Sequence, residues 1–240
     1  VYAFWPALTV SQNEGNFPAV IFSIALPWFI FSLARAARIG TTTSVRSSEQ
    51  AWSWIAVSGL LFAVVTLSAP SSLLALAVIG FVFAVIAYKR VGSLLFIALP
   101  AAALVLPYWL FQILGNDNWL GILADPTIAI PVEKKILLDQ VIGGDHLLGW
   151  AALGFLGLAF LSLLSKAKGI LLAWSIAFVA FANLIFIAGV SFTGGGVGSI
   201  FVDPTLTVQN STAPALMLLV LAVLVAMALW LESLTRNGIR

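Results

Sequence analysis

The stretch AWSWIAVSGLLFAVVTLSAPSSLLALAVIGFVFAVIAY, residues 51–88, decides the fold class of this chain. It contains no charged residue, and only the short segment Ser68-Ala69-Pro70 interrupts it. Each half has about the 17–25 apolar residues that a helix needs to cross roughly 30 Å of hydrocarbon. Only helices are plausible here, because a backbone in lipid must satisfy its own hydrogen bonds. The stretch therefore predicts two membrane helices, about 51–67 and 71–88, joined as a tight antiparallel hairpin.

The composition extends this interpretation to the whole chain. Of its 240 residues, 62% are hydrophobic and 8% are charged, and the mean hydropathy is +1.11. Soluble domains have roughly 25% charged residues, so the sequence predicts an integral membrane protein. There is no cysteine and a single histidine, His146, which excludes disulfides, Cys-ligated metals and multi-histidine sites. We therefore predict no metal and no cofactor, and the few charges give no indication of nucleic-acid binding.

Further apolar runs lie on both sides of this hairpin and bring the prediction to seven transmembrane helices. Asn183 is the deepest polar side chain, and it predicts an interhelical hydrogen bond. Pro100 and Pro107 predict a bent fourth span, since each removes a backbone donor. The predicted fold is an all-α polytopic helical bundle, with residues 1–240 forming one transmembrane domain. Its spans are about 17–37, 51–67, 71–88, 93–114, 147–164, 170–192 and 214–234.

The basic residues predict the orientation of the bundle. With these spans, Lys134 and Lys135 fall on one side of the membrane and the other nine basic residues fall on the opposite side. By the positive-inside rule the nine-residue side is cytoplasmic. We expect the N-terminus outside, the C-terminus in the cytoplasm, and a multi-pass location in the bacterial inner (plasma) membrane. Because the chain begins at Val1 without an initiator Met or a signal peptide, we expect it to be a piece of a longer or processed polypeptide.

The predicted outer loop, residues 115–146, is where polar chemistry concentrates between the spans. Asp145 and His146 stand side by side at a helix entrance, where they fit either a proton relay or an N-cap. Asp125 and Asp203 each begin an Asp-Pro-Thr sequence, which fits either a paired site or two similar turns. Residues 132–142 are amphipathic and predict a short interfacial helix, serving as an anchor or as a lid over a lipid groove.

We predict a groove between the fourth, fifth and sixth spans, with its mouth under this loop. The sequence assigns no catalytic residue. The substrate-binding residues that it predicts at the groove mouth are Trp119, Asp125, Asp145, His146 and Asp203.

Three segments resemble a known family. Residues 120–127 (LGILADPT) follow the proline-containing span at 96–107 (FIALPAAALVLP), and residues 213–234 form the closing apolar run. In these features the chain resembles the multi-span C-terminal membrane region of large actinobacterial family 2 glycosyltransferases. The resemblance implies a cytoplasmic GT-A catalytic domain that uses a nucleotide sugar and a divalent metal, beside a membrane part that presents a lipid-linked or envelope acceptor.

No paired-aspartate motif lies on the predicted cytoplasmic side, where Glu49 and Glu232 are the only acids. The role implied for this chain is therefore anchoring, handling of a glycan acceptor or export of a product, and not catalysis by itself. The partners implied are membrane lipid, a lipid-linked glycan and a cytoplasmic catalytic domain outside this chain.

Two alternatives stay open. One is a membrane transporter or lipid flippase subunit, against which the shortage of charged residues within the spans counts. The other is an outward-facing glycosyltransferase of the GT-C type that takes a polyprenyl-phosphate sugar, with Asp117 or Asp125 as its base. The chemical class of the sugar donor separates this last alternative from the nucleotide-sugar family.

Overall fold

A computed structural model describes residue 8 and the segments 11–12, 15–37, 48–86, 95–115, 154, 157–164, 168–193 and 213–238. These residues form helices and short turns and include no strand, which confirms the all-helical prediction for the part described. The helices are α1 (Phe17–Ala36), α2 (Ser48–Ser68), α3 (Leu73–Ile86), α4 (Ala98–Gly115), α5 (Lys168–Thr193) and α6 (Ala213–Gly238). Short 3-10 turns occupy Pro70–Ser72 and Leu161–Leu164.

Two of these helices are long and apolar enough to cross a membrane. They are α1, with 20 residues, and the segment Ala213–Thr235 of α6, with 23 residues. The bent pair Trp52–Ser68 and Pro70–Val85 adds a third candidate if it forms one broken span. Shorter apolar helices cover Ala98–Phe111 and Gly169–Ile185. The described residues thus hold two or three candidate spans, and the count of seven stays a prediction.

The chain forms two compact units, residues 18–128 and residues 1–17 with 129–240. In the first unit, α2 and α3 do not form the tight antiparallel hairpin predicted from the sequence. The chain turns through 117° at the break, so the two helices diverge from their junction. At that junction the Ala69 N–H donates to the Val65 carbonyl and the Ser72 N–H donates to the Ala69 carbonyl. This tight 3-10 turn begins at Pro70, which has no N–H to continue α2.

Helix α2 packs against α4 instead. Ala63 of α2 forms a buried cluster with Ala101 and Val105 of α4. At Gly59, an added Cβ atom would lie 2.8 Å from the Ile97 carbonyl oxygen and against the ring of Pro100. The absence of a side chain at Gly59 therefore lets the start of α4 approach the backbone of α2.

The position of Pro100 also corrects the prediction of two helix-bending prolines. Helix α4 begins at Ala98, so Pro100 lies in its first turn and only Pro107 lies inside the helix. The N–H groups of a first turn have no intrahelical acceptor, so a proline there removes no helix hydrogen bond. Pro107 alone can therefore bend α4.

A glycine shapes the entrance to α1. Gly15 has a φ of 70°, which L side chains rarely adopt. Its N–H donates to the Gln12 carbonyl, and the N–H of Asn16 donates to the Ser11 carbonyl. These two bonds form a Schellman motif, which ends the short helical segment before Gly15. A defined helix stop at Gly15 therefore precedes α1, which begins at Phe17.

In the second unit, α5 and α6 form an antiparallel pair. Ile170 and Ala173, near the start of α5, pack against Ala226 in the second half of α6. The Trp174 Nε1 atom donates a 2.8 Å hydrogen bond to Ser162 Oγ in the turn before α5. Asn183 is buried on α5, but its Nδ2 atom has no hydrogen-bond partner among the described residues. The predicted interhelical bond is therefore not made by this amide nitrogen.

Apolar side chains are exposed in rows along several helices. The rows repeat at intervals of three, four and seven residues, which places each on one helical face. Since the buried faces of the same helices are apolar too, these helices are hydrophobic all round, as membrane-spanning helices are. The rows are Phe17, Ile21, Ile24, Trp28 and Phe31 on α1; Leu74, Val78, Phe81 and Val85 on α3; and Leu171, Phe178, Phe181 and Ile185 on α5.

Candidate functional site

The five predicted site residues, Trp119, Asp125, Asp145, His146 and Asp203, lie outside the described residues. The predicted interfacial helix at 132–142 lies outside them as well. Their roles stay predictions. Among the described residues, no group of three or more His, Cys, Asp or Glu side chains is placed to hold a metal ion.

A different site is present in the unit formed by residues 18–128. It is a cavity of about 630 Å³ between α1, α2, α3 and the start of α4. Pockets of about 300–1,000 Å³ hold small-molecule ligands in proteins, so the cavity is large enough for one. The described residues that line it are Phe29, Leu33, Phe62, Leu76, Ala77, Gly80, Phe81, Ala84, Val85, Leu95, Ile97 and Ala98.

The cavity has a buried end and an exposed end. Phe29, Leu33 and Leu76 line it and are at most 4% exposed. Phe81 and Leu95 also line it, but they are 68% and 66% exposed. Phe81 belongs to the exposed apolar row of α3, so this wall of the cavity is continuous with that row.

Small residues on α3 leave the space for this cavity. Gly80 and Ala84 are four residues apart and lie on one face of the helix. A Cβ atom added at Gly80 would meet no atom within 4 Å. A larger side chain at Gly80 would therefore extend into open space.

The wall formed by α1 and α2 is held by a short hydrogen-bond chain. The buried Ser58 Oγ donates to Ser32 Oγ at 3.0 Å, and Ser32 Oγ donates to the Phe29 carbonyl at 2.9 Å. The rings of Phe29 and Phe62 meet with their centroids 5.6 Å apart. Because the two hydroxyl groups are engaged with each other and with the backbone, α1 and α2 present hydrocarbon to the cavity.

Other buried polar groups of this unit lack partners. Among the described residues, Thr66 Oγ1, Ser72 Oγ and Trp109 Nε1 are buried without a hydrogen-bond partner. None of the three residues lines the cavity. They therefore supply no polar contact to a ligand inside it.

The chemistry available to the cavity is that of its lining. Among the described residues, no side chain that lines the cavity is a nucleophile, an acid or a base, so the described lining offers binding surface and no catalytic group. An apolar cavity of this kind excludes water and accepts apolar guests. Sequence reasoning missed the site; the small residues Ala77, Gly80 and Ala84 within an otherwise bulky apolar run were the signal that could have indicated it.

No relative of the chain was found among known proteins. No protein-family model, no curated protein and no solved structure matches the chain.

Proposed function

We propose that the chain is the multi-pass membrane domain of a bacterial envelope glycosyltransferase, which anchors the enzyme and handles its lipid-linked or envelope glycan acceptor. The proposed topology has seven spans in the inner membrane, with the N-terminus outside and the C-terminus in the cytoplasm. In this proposal the chain carries no catalytic site of its own.

The observation that carries the membrane part of the proposal is the exposure of apolar rows on α1, α3 and α5. In water such rows would be costly, at roughly 25 cal/mol per Å² of exposed apolar surface. In lipid they face a solvent as apolar as themselves. The sidedness of the nine basic residues supports the orientation.

The glycosyltransferase part of the proposal rests on the family resemblance of residues 96–107, 120–127 and 213–234. The apolar cavity supports the handling of a lipid, because its described lining offers hydrocarbon surface and no polar side chain. A translocation route for a polar substrate would instead need polar groups within the spans.

The test is complementation in the native host, with the full-length gene deleted and then restored. The double variant Asp125→Ala with His146→Ala should fail to restore the envelope glycan while reaching the wild-type amount in the membrane. The matched control, Asp139→Ala with Gln140→Ala, changes the same predicted loop outside the predicted site and should restore the glycan. Normal glycan from the first double variant would contradict the site assignment.

The sugar donor tests the enzyme class. Membranes that contain the full-length protein should transfer label from a nucleotide sugar to a lipid-extractable or envelope acceptor. Transfer from a polyprenyl-phosphate sugar instead would overturn the proposal in favour of an outward-facing GT-C enzyme. Loss of lipid translocation in the deletion strain, without transfer from either donor, would favour a flippase subunit.

A further inference from the structure

We infer that the cavity between α1, α2, α3 and the start of α4 binds one hydrocarbon chain of a membrane lipid. The inference rests on the proposed membrane location and specifies which part of a lipid this domain holds, and where.

The lining selects the chemical class of the ligand. The twelve described residues that line the cavity have aliphatic or aromatic side chains or, at Gly80, no side chain. A water molecule needs two to four polar partners to be stable inside a protein, and these side chains offer none. A hydrocarbon chain that enters such a space supplies the dispersion contacts that the wall atoms would otherwise lack.

The exposed end of the cavity indicates that the hydrocarbon comes from the surrounding membrane. Phe81, Val85 and Leu95 line the cavity and are all exposed. Phe81 and Val85 also continue the exposed row that begins at Leu74 and Val78 on α3. Among the described residues, a lipid chain that lies along this row meets only apolar side chains where it would enter between the helices.

Chemical modification of the buried end of the cavity would distinguish a lipid chain inside it from lipid around the protein. Phe29, Leu33 and Leu76 are 3%, 4% and 1% exposed, so bulk lipid that surrounds the protein does not reach them. A reagent carried on a lipid chain can modify these three side chains only if the chain enters the cavity.

The experiment uses the purified chain in phosphatidylcholine nanodiscs that contain a small fraction of phosphatidylcholine with a diazirine at the end of one acyl chain. After illumination, adducts are mapped by peptide mass spectrometry. We expect adducts on Phe29, Leu33 or Leu76, as well as on Ile24 and Trp28, which belong to the exposed row of α1.

Variants at Gly80 test whether the adducts depend on the cavity. Gly80→Leu should remove most of the adducts on Phe29, Leu33 and Leu76, since the leucine side chain would occupy space that the lipid chain otherwise fills. Gly80→Ala should lower them less, and it keeps the test valid if the larger change impairs folding. Gly157→Leu is the matched control, because Gly157 is also helical and a Cβ atom added there would also meet no atom within 4 Å.

The outcomes separate this inference from the proposed function. Wild-type adducts on Ile24 and Trp28 without any on Phe29, Leu33 and Leu76 would overturn the lipid-chain site and leave the membrane location standing. Equal labelling of the buried residues in wild type and Gly80→Leu would also overturn it. An absence of adducts on Ile24 and Trp28 would contradict the membrane location itself. Dissociation of a dimer by Gly80→Leu, without lipid adducts on the buried residues, would assign the cavity to a second copy of the chain.

Discussion

Two glycines of the first unit have opposite surroundings, although both lie inside helices. At Gly59 an added Cβ would meet the Ile97 carbonyl oxygen at 2.8 Å and the ring of Pro100, whereas at Gly80 it would meet nothing within 4 Å. A carbonyl oxygen of the backbone and a proline ring have little freedom to move aside. The contact between α2 and α4 is therefore intolerant of a methyl group at Gly59.

We expect Gly59→Ala to destabilise the protein by about 1–3 kcal/mol, the usual cost of overfilling a close contact. The check is the midpoint of thermal unfolding of the purified chain in detergent. Gly80→Ala is the control, and it should leave the midpoint unchanged or raise it, because alanine favours a helix interior by roughly 0.5–1 kcal/mol over glycine. Equal midpoints for the two variants would contradict the close approach at Gly59.

At the scale of elements, α1 and α2 are linked by buried hydroxyl groups. Ser58 Oγ donates to Ser32 Oγ, which in turn donates to the Phe29 carbonyl of its own helix. Within the bilayer, bonds of this kind between helices contribute on average about 0.6 kcal/mol. The pair is therefore a weak but specific connection between two largely apolar helices.

A double-mutant cycle on Ser32→Ala and Ser58→Ala should give a coupling free energy of about 0.6 kcal/mol. The measurement is the free energy of unfolding of each variant in mixed detergent micelles. Ser175 Oγ donates to the Leu171 carbonyl of its own helix, so Ser175→Ala should add to Ser58→Ala without coupling. A coupling indistinguishable from zero between Ser32 and Ser58 would show that the bond does not contribute to stability.

The helix ends were largely predictable, and the arrangement of the helices was not. The apolar runs at 17–37, 170–192 and 214–234 correspond closely to α1, α5 and α6, because charged or polar residues flank each run. The 117° turn between α2 and α3 and the cavity depend on which helix faces meet. These helices are apolar on both their buried and their exposed faces, so sequence periodicity carries little information about that choice.

The five predicted site residues lie outside the described residues, so their roles stay predictions. What the sequence did contain was the signal for the cavity. Three small residues on one apolar helix, Ala77, Gly80 and Ala84, create a void that bulky neighbours cannot fill. Whether such residues leave a void or admit a neighbouring helix is decided by tertiary contacts, as the contrast between Gly80 and Gly59 shows.

For the whole molecule, the decisive question is whether α2 and α3 are two spans or one broken span. The 117° turn permits both, since neither helix continues the direction of the other. Two spans place residues 47 and 92 on the same side of the membrane, whereas a single broken span places them on opposite sides. The proposed seven-span topology requires the first arrangement, with both residues in the cytoplasm.

Cysteine labelling can distinguish two spans from one broken span. Because the chain contains no cysteine, each introduced thiol is the only one in it. In intact cells treated with a membrane-impermeant maleimide, we expect Thr127→Cys to be labelled and the cysteine-free parent to stay unlabelled. Ser47→Cys and Gly92→Cys should be labelled only after the membrane is permeabilised. Labelling of Gly92→Cys from outside, with Ser47→Cys still protected, would show that α2 and α3 form one broken span. The sidedness of every later segment would then reverse, and the C-terminus would lie outside, which the basic residues near it disfavour.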